Sequence, residues 1–192
     1  SSVLDTAVVP GLTSPRTCKA VNGRVEVCSN KYGNNGWLGI ASIWIGGSHI
    51  TKGTVKLNDT YFNTTKYNTS AWRQLVMCQE IGHTFGLGHQ DEIFDNPNLG
   101  TCMDYTNDPS TNQFPNQHDY DQLESIYGHL DSSATLLSGT ASARAANEDD
   151  IDTSNPSQRG KVIRKSSDGR GSLYERDLGK GQKIFTFVIW AN

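Results

Sequence analysis

Cys78-Gln79-Glu80-Ile81-Gly82-His83-Thr84-Phe85-Gly86-Leu87-Gly88-His89-Gln90-Asp91 is the stretch on which the reading of this chain turns. Gln79 and His83 stand four residues apart, so on a helix they project from one face, one turn above the other. Glu80 is next to Gln79 and reaches whatever that face holds. Gly86 offers the left-handed backbone that ends a helix, and Gly88 keeps the following turn supple. The chain can then double back and set His89 beside His83. Gln79, His83 and His89 with an acid alongside have the layout of a three-ligand catalytic zinc centre with an open fourth position.

Outward from this stretch, Thr69 or Ser70 is a suitable cap for the start of the helix. Trp72, Leu75, Val76 and Gln79 mark one face and Met77, Ile81 and Phe85 another, which suits a helix buried across the middle of a domain. Gly82 costs a helix interior roughly 1 kcal/mol relative to alanine, which is tolerable if another backbone passes close by. Upstream, Val3–Val9, Arg24–Cys28, Gly39–Ile45 and Thr54–Asn58 read as strands, with Gly46-Gly47 as a turn and Lys31–Gly36 as a loop. Asn22-Gly23 between Cys18 and Cys28 suits a tight hairpin turn. Downstream, Asp119–Gly128 reads as a short amphipathic helix with apolar residues at 120, 123, 126 and 127.

Composition excludes several classes. The 192 residues are 35% hydrophobic and rich in Gly, Asn, Ser and Thr, as in a loop-rich secreted protein. A net charge of −3 leaves no footprint for nucleic acid or an anionic membrane. No run approaches the roughly 18 apolar residues of a membrane span. Ser1–Asp5 lacks the charged start and apolar core of a signal peptide, as expected of a mature form. The even count of Cys18, Cys28, Cys78 and Cys102 favours two disulfides, and of the possible pairings the sequential one, Cys18–Cys28 with Cys78–Cys102, is expected. Asn58, Asn63 and Asn68 each open a glycosylation sequon in a stretch read as surface.

Residues 79–89 resemble the extended zinc motif of the metzincin metallopeptidases, His-Glu-x-x-His-x-x-Gly-x-x-His, matching it at Glu80, His83, Gly86 and His89. The departure is Gln79, which stands where the first histidine belongs. Leu99-Gly100-Thr101-Cys102-Met103-Asp104-Tyr105 is similar to the metzincin Met-turn, with Met103 fourteen residues after His89. Met103-Asp104-Tyr105 matches the Met-x-Tyr of the astacin and serralysin branches, and Leu123-x-x-Ile126-Tyr127-Gly128 is similar to the last helix of matrixin catalytic domains.

The resemblance implies an α+β fold: a small, twisted, mostly parallel sheet, an active-site helix and a C-terminal helix. Residues 1–130 are expected to form the catalytic domain and 131–160, rich in Ser, Ala, Asn and acidic residues, a linker. Residues 161–192 are expected to form a small β meander docked on that domain, with strands at Lys161–Arg164, Ser172–Arg176 and Lys183–Trp190. The implied activity is that of a secreted, monomeric zinc endopeptidase acting on protein or peptide substrates. Zn²⁺ would be held by Gln79, His83 and His89, with Glu80 as general base, Tyr105 stabilising the reacting carbonyl and Met103 beneath the metal. In such enzymes a strand before the metal helix pairs with extended substrate. An amide at position 79 coordinates through its oxygen and needs an acceptor for its NH₂. The alternative is an inactive, metzincin-like binding module. Carboxylates in Gln90–Asn98 are candidate Ca²⁺ ligands, though solvated loop charge is the preferred reading; His49, His118 and His129 are read as ordinary surface or core residues.

Overall fold

The computed structural model describes residues 4–129 and 151–191. Six strands, β1 (Val25–Asn30), β2 (Trp37–Gly46), β3 (His49–Asn58), β4 (Lys161–Lys165), β5 (Gly171–Gly179) and β6 (Gln182–Trp190), form one sheet in the order β1-β3-β2-β6-β5-β4. Three α-helices accompany it among the described residues: α1 (Asp59–Phe62), α2 (Ser70–Thr84) and α3 (Gln117–Tyr127).

The sheet is mostly antiparallel, which corrects the expected mostly parallel one. Only β1 and β3 run parallel. The reason lies in the connections. β2 and β3 are joined through Gly46-Gly47, and β5 and β6 through a turn with left-handed backbone at Gly179, Lys180 and Gly181. Connections this short force antiparallel neighbours. The meander is not docked on a face of the first three strands. It continues their sheet edge to edge, with Ala41 of β2 opposite Phe187 of β6.

Alternation along the strands separates two faces. On one, Leu38, Ala41, Val55, Leu57 and Ile189 join Leu75 and Val76 of α2, Met103 and Tyr105 in the principal core. On the other, Trp37, Ile40 and Val188 form one cluster, and Ala20, Trp44 and Ile184 a second. Residues 151–160 lie against this far face. Thr153 and Arg159 are each 1% exposed, and the Thr153 hydroxyl is 2.7 Å from that of Ser42 on β2. The expected linker is therefore packed structure over its last ten residues, anchored by polar contacts that composition does not reveal; residues 131–150 lie outside the described residues.

Two early expectations also fail. Residues 4–9 form no strand, and Val8 and Val9 are exposed, their alternation burying nothing. The Cys18–Cys28 segment is no hairpin, because β1 takes β3 as its partner, with Val27 opposite Val55, and Gly23 N–H donates to Thr51 O instead. The disulfides are nonetheless Cys18–Cys28 and Cys78–Cys102, with Cα separations of 6.0 and 5.9 Å. Each closes a loop whose restriction stabilises the fold by roughly 2–4 kcal/mol.

Candidate metal centre

α2 begins at Thr69, whose Oγ1 accepts from Trp72 N–H at 3.2 Å. It ends in a Schellman arrangement. Leu87 N–H reaches Gly82 O at 3.1 Å and Gly86 N–H reaches His83 O at 3.0 Å, with Gly86 at a φ of 89°. That left-handed residue turns the chain back toward the helix. The returning strand is pinned to the segment around Met103, since Gln90 N–H donates to Met103 O at 2.7 Å and Tyr105 N–H to Asp91 O at 3.2 Å. Cys78–Cys102 ties the same segment to α2.

The result brings His83 and His89 together. Their Nε2 atoms are 3.0 Å apart and their rings are perpendicular. His83 Nδ1 lies 2.8 Å from Leu87 O, and a carbonyl only accepts, so Nδ1 carries the proton. His89 Nδ1 lies 3.1 Å from a Glu92 carboxylate oxygen, which fixes the same tautomer. Both Nε2 atoms therefore present lone pairs to each other. A proton between them is disfavoured: burial, then the neighbouring His89, hold His83 well below the ordinary imidazole range, and burial lowers His89 too, partly opposed by Glu92. Neutral imidazoles oriented through Nδ1 by a carbonyl and a carboxylate are donors of the kind that hold a metal ion.

Gln79, one turn before His83, is 1% exposed. Its Nε2 donates to Cys102 O at 2.9 Å, supplying the acceptor that an amide ligand requires, while its buried Oε1 has no hydrogen-bond partner. Glu80 is equally buried and its Oε2 is likewise unpartnered. Its carboxyl lies against β2, where a Cβ at Gly39 would stand 2.7 Å from Oε1. Burial pushes the Glu80 carboxyl well above the usual range, against a hydrogen bond from the Ala41 backbone. Met103 is fully buried beneath α2: a methyl group at Gly82 would lie 2.5 Å from its Sδ, so the close neighbour that excludes a side chain there is a methionine and not a backbone. Tyr105 is 3% exposed, its ring 4.2 Å from His89 and stacked on Phe94, and burial followed by the Glu80 charge raises its hydroxyl well above 10. Among the described residues no group of three or more His, Cys, Asp or Glu converges as a metal cluster; two imidazoles and an amide are the donors here.

Three participants were not legible in the sequence. Glu92 orients His89 and also pairs with Arg164 of β4 at 3.2 Å; its spacing from His89 was the available signal, read only as loop charge. Phe187 of β6 stacks on His83 with centroids 4.0 Å apart and planes within 8°. Nothing local announces a partner so distant in sequence. The remaining loop carboxylates have protein donors: Asp91 accepts from Ile93 N–H and Asn96, and Asp95 from Asn107. Asn58 is fully buried, donating to Gly33 O, Asn35 and Trp37 O while its Oδ1 caps α1, so this sequon is not at the surface; Asn63 and Asn68 are exposed. His49, His118 and His129 are exposed. In α3 only Leu123 of the expected apolar face is buried, and Tyr120 and Ile126 face outward.

No known family's model matches the chain, and no curated protein or solved structure matches it.

Proposed function

We propose that the chain is a zinc-dependent endopeptidase, secreted and monomeric, that hydrolyses protein or peptide substrates. The observation that carries this reading is the pair of inward lone pairs on His83 and His89, 3.0 Å apart, beside the buried, unpartnered oxygens of Gln79 and Glu80. The two imidazole nitrogens and the Gln79 oxygen are buried acceptors without matching donors, which is costly unless a cation completes them. His83, His89 and the Gln79 amide oxygen would hold the ion, with Cys102 O, Leu87 O and Glu92 keeping those donors aimed. Zinc supplies Lewis acidity there and brings the ionisation of water toward neutral pH.

The chain's own groups do the rest. Glu80 takes a proton from the attacking water as the carbon–oxygen bond forms, then delivers it to the departing amine as the carbon–nitrogen bond breaks. Tyr105, kept protonated by burial, can donate its O–H to the developing oxyanion. Met103 fills the floor under α2 and holds the helix in position. The two disulfides suit an oxidising compartment, and no helix among the described residues is long and apolar enough to cross a membrane.

The test is metal analysis of the purified chain with a casein digestion assay, with and without chelator, on wild type, Glu80→Ala and Gln79→His. About one zinc per chain, chelator-sensitive cleavage, and loss of at least about 100-fold in Glu80→Ala are expected. Undiminished digestion by Glu80→Ala refutes the assigned base. The second reading, a binding module without turnover, draws on the amide at position 79 and on Phe187 covering His83. Stoichiometric zinc with no cleavage, even after Gln79→His and with Phe187→Ala uncovering His83, would select it.

A further inference from the structure

Residues 161–191 contribute to the principal core and also close over the candidate centre. Phe187 of β6 lies flat on the His83 ring. Arg164 of β4 pairs with Glu92, the carboxylate that orients His89. Gly171, the first residue of β5, sits over Tyr105 so closely that a Cβ there would collide with the tyrosine oxygen. Arg170 places its guanidinium 3.6 Å over the Phe94 ring and donates to Asn107 at 2.7 Å. The four contacts come from three strands and one turn, and they surround the same few residues.

The space left is too small for a peptide. The cavity lined by His89, Glu92, Tyr105, Arg164, Leu173 and Phe187 holds about 10 Å³, room for one water molecule. A scissile amide with its flanking residues cannot reach the imidazole nitrogens while β6 is in place. β6 also uses the backbone of β2 that borders Glu80: Gly39, against which the Glu80 carboxyl lies, is opposite Ile189, and Ala41 is opposite Phe187. An extended peptide approaching the centre along β2 would need the hydrogen bonds that β6 now makes. The occupant is itself an extended antiparallel strand with an aromatic side chain turned to His83, so it competes in kind as well as in space.

We infer that the C-terminal meander is an intramolecular inhibitor: β6 occupies the peptide-binding edge of β2, and the chain is latent until β6 is displaced. The inference rests on the peptidase reading for its consequence, but the closure itself can be tested without turnover. Activity then reports the fraction of molecules with β6 displaced.

The test uses the full chain and two substitutions, Phe187→Ala, which uncovers the His83 ring, and Arg164→Glu, which sets a like charge against Glu92. Arg164 is 48% exposed, so the second variant keeps the sheet folded should the first fail to fold; circular dichroism checks both. The first readout is carbethoxylation of His83 by diethyl pyrocarbonate in chelator-treated protein, resolved by peptide mass, with the exposed His118 as internal reference. His83 should label far more slowly than His118 in wild type, and about tenfold faster in a folded variant than in wild type. The second is casein cleavage by the zinc-loaded chain, expected to rise by a similar factor. Equal labelling of His83 in wild type and the folded variants overturns the inhibitor, as does wild-type cleavage that neither folded variant exceeds. Faster labelling with no cleavage by any chain leaves the closure standing and removes the peptidase reading instead.

Discussion

The two faces of the sheet bury polar groups to the same depth and treat them in opposite ways. On the far face charged groups meet partners, and the atoms left without one are N–H donors, Nε1 of Trp37 and of Trp44 and Nη1 of Arg159. Arg159, 1% exposed, gives Nε to Thr153 O at 2.7 Å and Nη2 to Ser154 O at 3.0 Å, and its cation lies 5.4 Å from the ring centres of both Tyr174 and Trp190. Lys56 meets Asp152 at 2.6 Å. On the α2 face acceptors meet acceptors: two imidazole lone pairs converge, and one oxygen each of Gln79 and Glu80 has no partner. Both faces leave some buried polar atoms unpartnered, but only on the near face do acceptors converge, the arrangement from which the proposed metal site is argued. Removing the charge of Glu80 on the near face and of Arg159 on the far face should therefore move stability in opposite directions.

The largest effect belongs to the far face. Arg159→Ala leaves the carbonyls of Thr153 and Ser154 without donors and opens the space between two aromatic rings, and the expected loss is about 3–4 kcal/mol in denaturant unfolding. On the near face Glu80→Gln should do the reverse in metal-stripped protein, gaining about 1–2 kcal/mol at neutral pH, the usual scale for relieving a functional site. The sign follows from the burial that raises the Glu80 pKa. Its neutral form is favoured in the folded state, so wild-type stability on this account is full below the unfolded value of 4.5 and falls as pH rises toward the folded value. The gain should vanish in acid. A Glu80→Gln chain less stable than wild type at neutral pH would erase the contrast between the faces.

Gly82→Ala probes the near face by packing alone. Alanine improves the helix by up to about 1 kcal/mol, but its methyl meets Met103 Sδ, and overfilling a tight core costs typically about 1–3 kcal/mol. A net loss of roughly 1 kcal/mol is expected. Met103→Ala in the same chain should make the added methyl favourable, and additive effects in the double variant would show that the two residues do not press on one another.

How much of this could be read from the chain follows the range of the interactions involved. The α2 boundaries, the Gly86 turn and the pairing of His83 with His89 follow from spacings of a few residues, and the even cysteine count favours two disulfides without fixing which cysteines pair. The acceptor for Gln79 could be required in principle, but Cys102 O could not be named, because the Cys78–Cys102 segment had first to be folded against α2. The strand boundaries of the meander were close, yet its place in the sheet was not. Joining β6 to β2 closes a gap of well over a hundred residues, and period-two alternation says which face a residue takes without saying which strand lies beside it. Phe187 and Arg164 were invisible as site residues for that reason. Asn58 was misplaced differently: a sequon records three residues, while the capping of α1 and the three donor contacts of that side chain belong to the fold.

The smallest effect is again on the far face and tests whether its ion pair behaves as structure. Burial alone would push Asp152 up, but its bonds to Lys56 and Ser154 outweigh that and hold it below 3.8. A depressed carboxyl stabilises the fold above its unfolded value, and the contribution is lost as pH falls through the folded one. Asp152 is 50% exposed, so solvent screens the pair and its worth stays under about 1 kcal/mol. Asp152→Asn should therefore be slightly less stable than wild type at pH 7, and the difference should close as pH drops below 3.8, the reverse of the trend for Glu80→Gln only in which chain is favoured. Both differences shrink in acid, because both carboxyls then become neutral. What separates the faces is the sign at neutral pH: ionised Asp152 faces an ammonium group and ionised Glu80 faces none, so the first charge stabilises the sheet and the second strains it.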